Sequence, residues 1–292
     1  MIRLNPECIR CLTQQYLGKD ISAYSKEEQI KYLQIILSHV AKAPASHPAP
    51  VIVHAIDEQL RREFGIWKDY TDIKHHFNRL MLEREEQFRR NLAQAEDPLR
   101  LALQYAMIGN FIDFGARYQV KEEELSRLIE TAGEQPLPEE SFREMTEDLA
   151  RSRKMVFLTD NCGEIVFDKQ LLSVIRQRWP QLEITVIVRG GPASNDATME
   201  DARQVGLTEL FPVIGNGNTI AGSWLEDFSP QALEVMDQAD IVLAKGQANF
   251  ETMRGCGRNI YYIFLCKCPM FARNFGVARF TGMLINDRDC GE

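Results

Sequence analysis

The chain has 292 residues, 34 Lys+Arg against 42 Asp+Glu for a net charge of −8, and 45% apolar residues. That balance gives a chain that folds around a sizeable core as one large or two ordinary domains, and it excludes wholesale disorder. A net acidic chain also lacks the basic footprint of a nucleic-acid binder, so an anionic ligand must be held by a local site.

The opening MIRLNPECIRC carries charges at Arg3 and Glu7 and no apolar run, which predicts no secretory leader. No stretch approaches the roughly 18 uninterrupted apolar residues of a membrane span. Seven cysteines, an odd number, predict reduced thiols and a cytoplasmic protein.

Up to residue 150 the apolar residues recur at helical spacing, which predicts helices over 7–18, 26–43, 49–64, 70–95, 98–117, 121–132 and 139–152. Ser25 with Glu28 and Ser141 with Glu144 read as capping boxes, and Asp97-Pro98 as an N-cap before a first-turn proline. Pro44, Pro48 and Pro50 mark one interruption, and residues 134–138 read as a linker. The pattern then changes to short apolar runs at 155–159, 184–188, 210–214, 241–244 and 260–265. Between them lie predicted helices over 163–178, 198–206, 230–238 and 249–256. The fold class is α/β: an all-helical domain over 1–150, then a doubly wound, mostly parallel sheet domain over 151–292. The second part is nearly neutral, with 15 Lys+Arg against 17 Asp+Glu, so most of the acid excess sits in the first. In such a sheet ligands bind at the carboxyl ends of the strands.

After the first run, Asp160 and Asn161 supply hard oxygens suited to Mg²⁺ or Mn²⁺, and Gly163 allows a close turn into the next helix. Capping of that helix is the competing explanation. After the second run, Gly190 and Gly191 precede Asn195 and Asp196, a second Asn/Asp pair that could share the same cation. The two glycines fit a close approach to a ligand or a plain turn. Lys245 ends the fourth run, where a buried ammonium needs an anion: a substrate phosphate, or a salt bridge to Asp160 or Asp196. The polar loop 215–219 could line a pocket or be an ordinary turn.

In the helix over 98–117, Asn110 and Asp113 continue the apolar stripe of Leu103 and Ala106, so they either reach the site or are solvated near Gly115. All five histidines precede residue 77, which excludes a Ser-His-Asp site within the sheet half. There is neither GxGxxG after the first run nor a GxxxxGK[ST] motif, against a dinucleotide or P-loop site. Cys8 and Cys11, with Cys266 and Cys268, either form a four-thiolate zinc site or are inert thiols.

The segments TDNCGEIVFD at 159–168, RGGPASNDAT at 189–198, KGQANFE at 245–251 and GNFIDFG at 109–115 resemble the signatures of the metal-dependent damage-control phosphatases. The early Cys8-x-x-Cys11 resembles the prokaryotic branch of that family. The resemblance spans nearly the whole chain. It implies a helical domain joined to a Rossmann-like domain, with a divalent cation (Mn, Mg, Co or Ni) on Asp160, Asn161 and Asp196. Lys245 is similar in position to a lysine that contacts substrate phosphate. Glu164, Gly190, Gly191, Asn195, Gly246, Asn249, Asn110 and Asp113 would bind substrate around the catalytic Asp160, Asn161, Asp196 and Lys245. Cys162, Ala248 and the pair Ala193-Ser194 depart from the family pattern without removing a metal ligand.

The expected function is therefore hydrolysis of phosphate monoesters of small metabolites, sugar phosphates or damaged phosphometabolites, with no nucleic-acid or membrane partner. The alternatives are a non-catalytic module that binds a nucleotide or phosphometabolite, and a methyltransferase. The acidic loop after the first run argues against the methyltransferase.

Overall fold

The computed structural model describes residues 3–66, 69–111 and 122–290. Helices α1 (Pro6–Leu17), α2 (Lys26–Lys42) and α3 (Ala49–Phe64) form one compact unit, which ends at Asp69. They bury Leu12, Tyr16, Tyr32, Ile36, Ile56 and Leu60 against one another. The expected box forms at the start of α2, where Ser25 and Glu28 cap each other's backbone N–H groups.

The second unit begins at Tyr70. It holds helices α4 (Thr71–Leu82), α5 (Glu85–Gln94), α6 (Pro98–Gly109), α7 (Glu122–Glu130) and α8 (Glu139–Arg151). The sheet follows: β1 (Lys154–Leu158), α9 (Ile165–Arg178), β2 (Glu183–Val188), α10 (Met199–Gln204) and β3 (Val213–Gly215). The chain continues with α11 (Pro230–Asp237), β4 (Ile241–Lys245), α12 (Gln247–Met253), β5 (Ile260–Leu265), α13 (Pro269–Phe275) and β6 (Gly282–Asn286). The sequence pattern changes at residue 151, but the packing changes at residue 69, because α4–α8 share one hydrophobic core with the sheet.

Among the described residues the strand order is β3-β2-β1-β4-β5-β6. Four pairings are parallel and the last, β5 with β6, is antiparallel. This is the doubly wound, mostly parallel α/β architecture that the alternating runs predict. Every residue of β4 and β5 is buried, as expected for central strands covered on both faces. The order reverses between β1 and β4, so the crevice of such a sheet opens at their carboxyl ends.

Several boundaries differ from the sequence reading. The helix expected over 70–95 breaks at Glu83-Arg84, where no glycine or proline marks the bend. Ser141 does not cap, because α8 already starts at Glu139 behind Pro138. The third run is displaced: Leu207–Glu209 forms a 3₁₀ turn, and strand pairing begins only after Pro212, which has no N–H to donate. α13 and β6 were not expected.

α6 is held tightly. Asp97 caps it through the Arg100 N–H, and Leu99 and every residue from Ala102 to Gly109 are buried. Phe88, Tyr105 and Phe167 form an aromatic cluster that joins α5, α6 and α9. A β-carbon on Gly109 would collide with Phe167 and Glu164, so glycine is what lets the end of α6 lie directly on α9. That contact delivers Asn110 to the sheet's crevice.

Candidate active site

The parallel register aligns Leu158 with Ile187 and with Ala244, so two residues further on Asp160 faces Arg189 and Gly246. The loops leaving β1 and β2 are stitched together there. Asn161 and Asp196 form an antiparallel bridge, the Ala197 N–H donates to Asp160 O at 2.7 Å, and the Cys162 N–H donates to Asn195 O at 2.9 Å. Asn195 Nδ2 donates to Asn161 Oδ1 at 2.6 Å.

Both Asn/Asp pairs therefore lie at one point, and neither acts as a helix cap. Glu164 opens α9 without a side-chain cap, and Thr198 with Asp201 forms the capping box of α10. Gly163 takes the left-handed turn at φ 72 that the sequence suggested.

Asn110 is wholly buried at the C-cap of α6. Its Nδ2 donates to Asp160 Oδ2 at 2.7 Å and to Glu164 Oε2 at 3.2 Å, and its Oδ1 accepts the Leu265 N–H. Asn161 Nδ2 donates to the same two carboxylates, at 2.8 and 3.0 Å. Asp113 lies outside the described residues.

Lys245 is placed differently from the phosphate contact inferred for it. Its side chain is 0% exposed, and Nζ donates to Glu164 Oε1 and Asp168 Oδ1, each at 2.6 Å. Burial alone would lower its pKa, but the Asp168 and Glu164 charges outweigh that and keep it charged above its ordinary range. A salt bridge is thus observed, with Glu164 and Asp168 as partners in place of Asp160 or Asp196.

The neighbouring glycines and asparagines are also engaged. The Gly190 N–H donates to Asn216 Oδ1 and Asn218 O, and β-carbons on Gly190 and Gly191 would strike the 217–219 segment. The close approach that those glycines permit is to this loop, whose Asn216 and Asn218 are bonded to backbone and to each other. A β-carbon on Gly246, at φ +81, would land on the Asp160 carboxylate. Asn249 Nδ2 donates to Lys245 O and Thr159 O, fixing the ends of β4 and β1.

Arg189 escaped the sequence reading as a site residue. Its guanidinium is fully enclosed, with Nε donating to Asp196 Oδ2 at 2.6 Å and Nη2 3.9 Å from Asp160 Oδ1. The same guanidinium reaches Asn249 Oδ1 and Ser223 Oγ. The usable signal was an ionic residue closing an apolar strand, the argument that singled out Lys245.

The electrostatics are strained in one direction. Asp160 and Asp196 lie within 3.9 Å of Arg189, Glu164 and Asp168 are paired with Lys245, and Lys267 adds a third cation acting on Asp160. Burial, then the Glu164 and Asp196 charges, push the Asp160 pKa well above the ordinary carboxyl range, while Lys267 and Arg189 draw it back. Burial likewise pushes Asp168 up to about 7 against the pull of Lys245, and its enclosed Oδ2 has no hydrogen-bond partner among the described residues. Buried carboxylates in excess of the cations around them, beside an amide oxygen, fit a hard divalent cation on Asp160, Asn161 and Asp196. Among the described residues no group of three or more His, Cys, Asp or Glu side chains is placed to hold a metal ion.

The paired cysteines fall in different compact units, Cys8 and Cys11 in the first, Cys266 and Cys268 in the second. Burial pushes the Cys266 thiol up to about 11, and its Sγ lies 4.0 Å from the Cys268 carbonyl, the setting of an inert thiol.

The sequence matches the damage-control phosphatase ARMT1-like domain over residues 4–281. It is 26% identical to a damage-control phosphatase of Archaeoglobus fulgidus over 94% of this chain and 96% of that protein. It is 35% identical to damage-control phosphatase PH1575 of Pyrococcus horikoshii over 61% of this chain and 62% of that protein. The crystal structure of a DUF89 family protein from Pyrococcus horikoshii superposes with a TM-score of 0.81 at 26% identity, over 97% of this chain and 99% of the other.

Proposed function

The chain belongs to the damage-control phosphatase ARMT1-like domain family, and from that premise we propose that it is a metal-dependent phosphomonoester hydrolase acting on small phosphorylated metabolites, sugar phosphates or damaged phosphometabolites. The observation that carries the reading is the convergence of Asp160, Asn161 and Asp196 on one point at the carboxyl ends of β1 and β2, with more acid than cation around them.

Asp160, Asn161 and Asp196 would hold Mn²⁺, Mg²⁺, Co²⁺ or Ni²⁺ through carboxylate and amide oxygens. A bound divalent cation supplies Lewis-acid charge at the phosphoryl oxygens. Arg189 anchors Asp196 through Oδ2, and Asn110 holds Asp160 and Glu164 side by side. Lys245 acts through Glu164 and Asp168, fixing the first turn of α9 against the crevice. Lys267 is half-buried and close enough to lower the Asp160 pKa, which makes it a better candidate than Lys245 to meet a phosphate oxygen. The odd number of cysteines favours a reducing compartment such as the cytoplasm as its location. No helix among the described residues is long and apolar enough to cross a membrane.

The test is phosphate release from p-nitrophenyl phosphate by metal-stripped protein, before and after adding each of the four metals, with Asp160→Ala as control. Activity that returns with metal and is lost in the variant is the expected result. Calorimetric binding of phosphate esters without turnover would move the assignment to the non-catalytic module.

A further inference from the structure

We infer that Lys74 and Asn78 on α4 are positioning residues that set the spacing between the two ligand-bearing loops, a role resting on the phosphatase reading above. The two residues are one helical turn apart, on one face of α4, and both are buried. Asn78 Oδ1 accepts the Gly163 N–H at 2.7 Å, which holds the loop after β1 two residues beyond Asn161. Lys74 Nζ donates to Asp196 O at 2.9 Å, which holds the loop after β2 at the ligand residue itself.

Asp201 joins the two grips. Its Oδ2 accepts from Lys74 Nζ at 2.7 Å and from the Thr198 N–H and hydroxyl, and its Oδ1 accepts from Asn78 Nδ2 at 2.9 Å. Asn78 Nδ2 also donates to Gln204 Oε1 at 2.7 Å, so both of its amide hydrogens are used. The network grips the two loops through backbone atoms, the Gly163 N–H and Asp196 O, from residues outside the Asp160, Asn161, Asp196 set. The 160–197 and 162–195 backbone hydrogen bonds join the same two loops directly to each other. A network with each member satisfied defines one geometry, and removing a member frees one loop relative to the other. Partners of this outer kind alter metal affinity or activity by about 10–100-fold.

The test compares Lys74→Met, Lys74→Arg, Asn78→Ala and Met81→Ala in the full chain by Mn²⁺ calorimetry, p-nitrophenyl phosphate kinetics and thermal melting. Met81 is buried on the same helix in the apolar core and has no part in the network. Lys74→Met and Asn78→Ala should weaken Mn²⁺ binding about tenfold or more and lower kcat, with Lys74→Arg recovering most of the Mn²⁺ affinity. Met81→Ala should lower the melting temperature without moving Mn²⁺ affinity. Native Mn²⁺ affinity in both Lys74→Met and Asn78→Ala, or an equal loss in Met81→Ala, would overturn the inference. If Lys74→Met does not fold, Asn78→Ala and the Lys74→Arg pair decide it. An unsubstituted protein that neither binds Mn²⁺ nor releases phosphate would overturn the phosphatase reading, and this inference with it.

Discussion

Arg189 and Asp196 are joined by a 2.6 Å ion pair whose guanidinium has no exposed surface, and the same guanidinium is the cation facing Asp160 at 3.9 Å. Removing it leaves two buried acids with less compensation than they have now. Arg189→Met should cost about 3–5 kcal/mol of stability in metal-free protein, the usual penalty for breaking a buried pair from one side. Denaturant titration measures this, and added Mn²⁺ should return part of the loss. A midpoint equal to that of the unsubstituted protein would show that Asp196 does not depend on this guanidinium.

Asp160 presents the opposite case. Its ionised form is disfavoured by burial and by Glu164 and Asp196, so Asp160→Asn keeps the shape and removes the conflict. The variant should melt no lower than the metal-free native protein while phosphate release falls by about 100-fold or more, the loss of several kcal/mol of charge stabilisation. Melting curves and product release on one sample decide it; a destabilised variant would contradict the conflict.

Lys245 separates a structural cation from a substrate-binding one. With both carboxylate partners at 2.6 Å and no exposure, Lys245→Met should lower stability by about 3–5 kcal/mol even without substrate. A direct phosphate contact would instead raise KM and leave the melting temperature alone. Measuring both quantities distinguishes the two.

Asp168 makes stability depend on pH. Its folded pKa of about 7 exceeds the ordinary 3.8, so between those values the folded protein keeps a proton that the unfolded chain has lost. Unfolding there releases a proton, and stability declines as pH rises toward about 7 and then levels off. The raised Asp160 pKa acts in the same direction. Asp168→Asn should flatten much of the slope in urea titrations of metal-free protein between pH 4 and pH 7; an unchanged slope would refute the assignment.

The strands around the crevice were legible because β1, β2, β4 and β5 are apolar runs with little ambiguity of length. β6 was not, since a short run after Gly282 pairing antiparallel at an edge has no βαβ pattern to announce it. Asp160, Asn161, Asn195 and Asp196 stood out as polar residues where apolar strands end, and Asn110 as a polar residue prolonging an apolar helical stripe. What the sequence hid was partnership. Glu164 and Asp168 lie one turn apart at the start of α9, and nothing local says that Lys245, 77 residues after Asp168, joins them. The same holds for Lys74 and Asn78, whose partners Asp196 and Gly163 lie 122 and 85 residues further along the chain.

The bonds around Asn110 also bear on how the chain acquires its site. Asn110 reaches Asp160 across 50 residues and the Leu265 N–H across 155. Contacts of such separation form only after long loops have closed, which places them late on the folding path. A nascent chain carries the Asp160 and Asp196 loops well before β5 has been synthesised, so these acids must wait for their last restraint. Assembly of the crevice therefore marks the completion of the sheet, and a chain that stops short of Leu265 would display the motifs without the site.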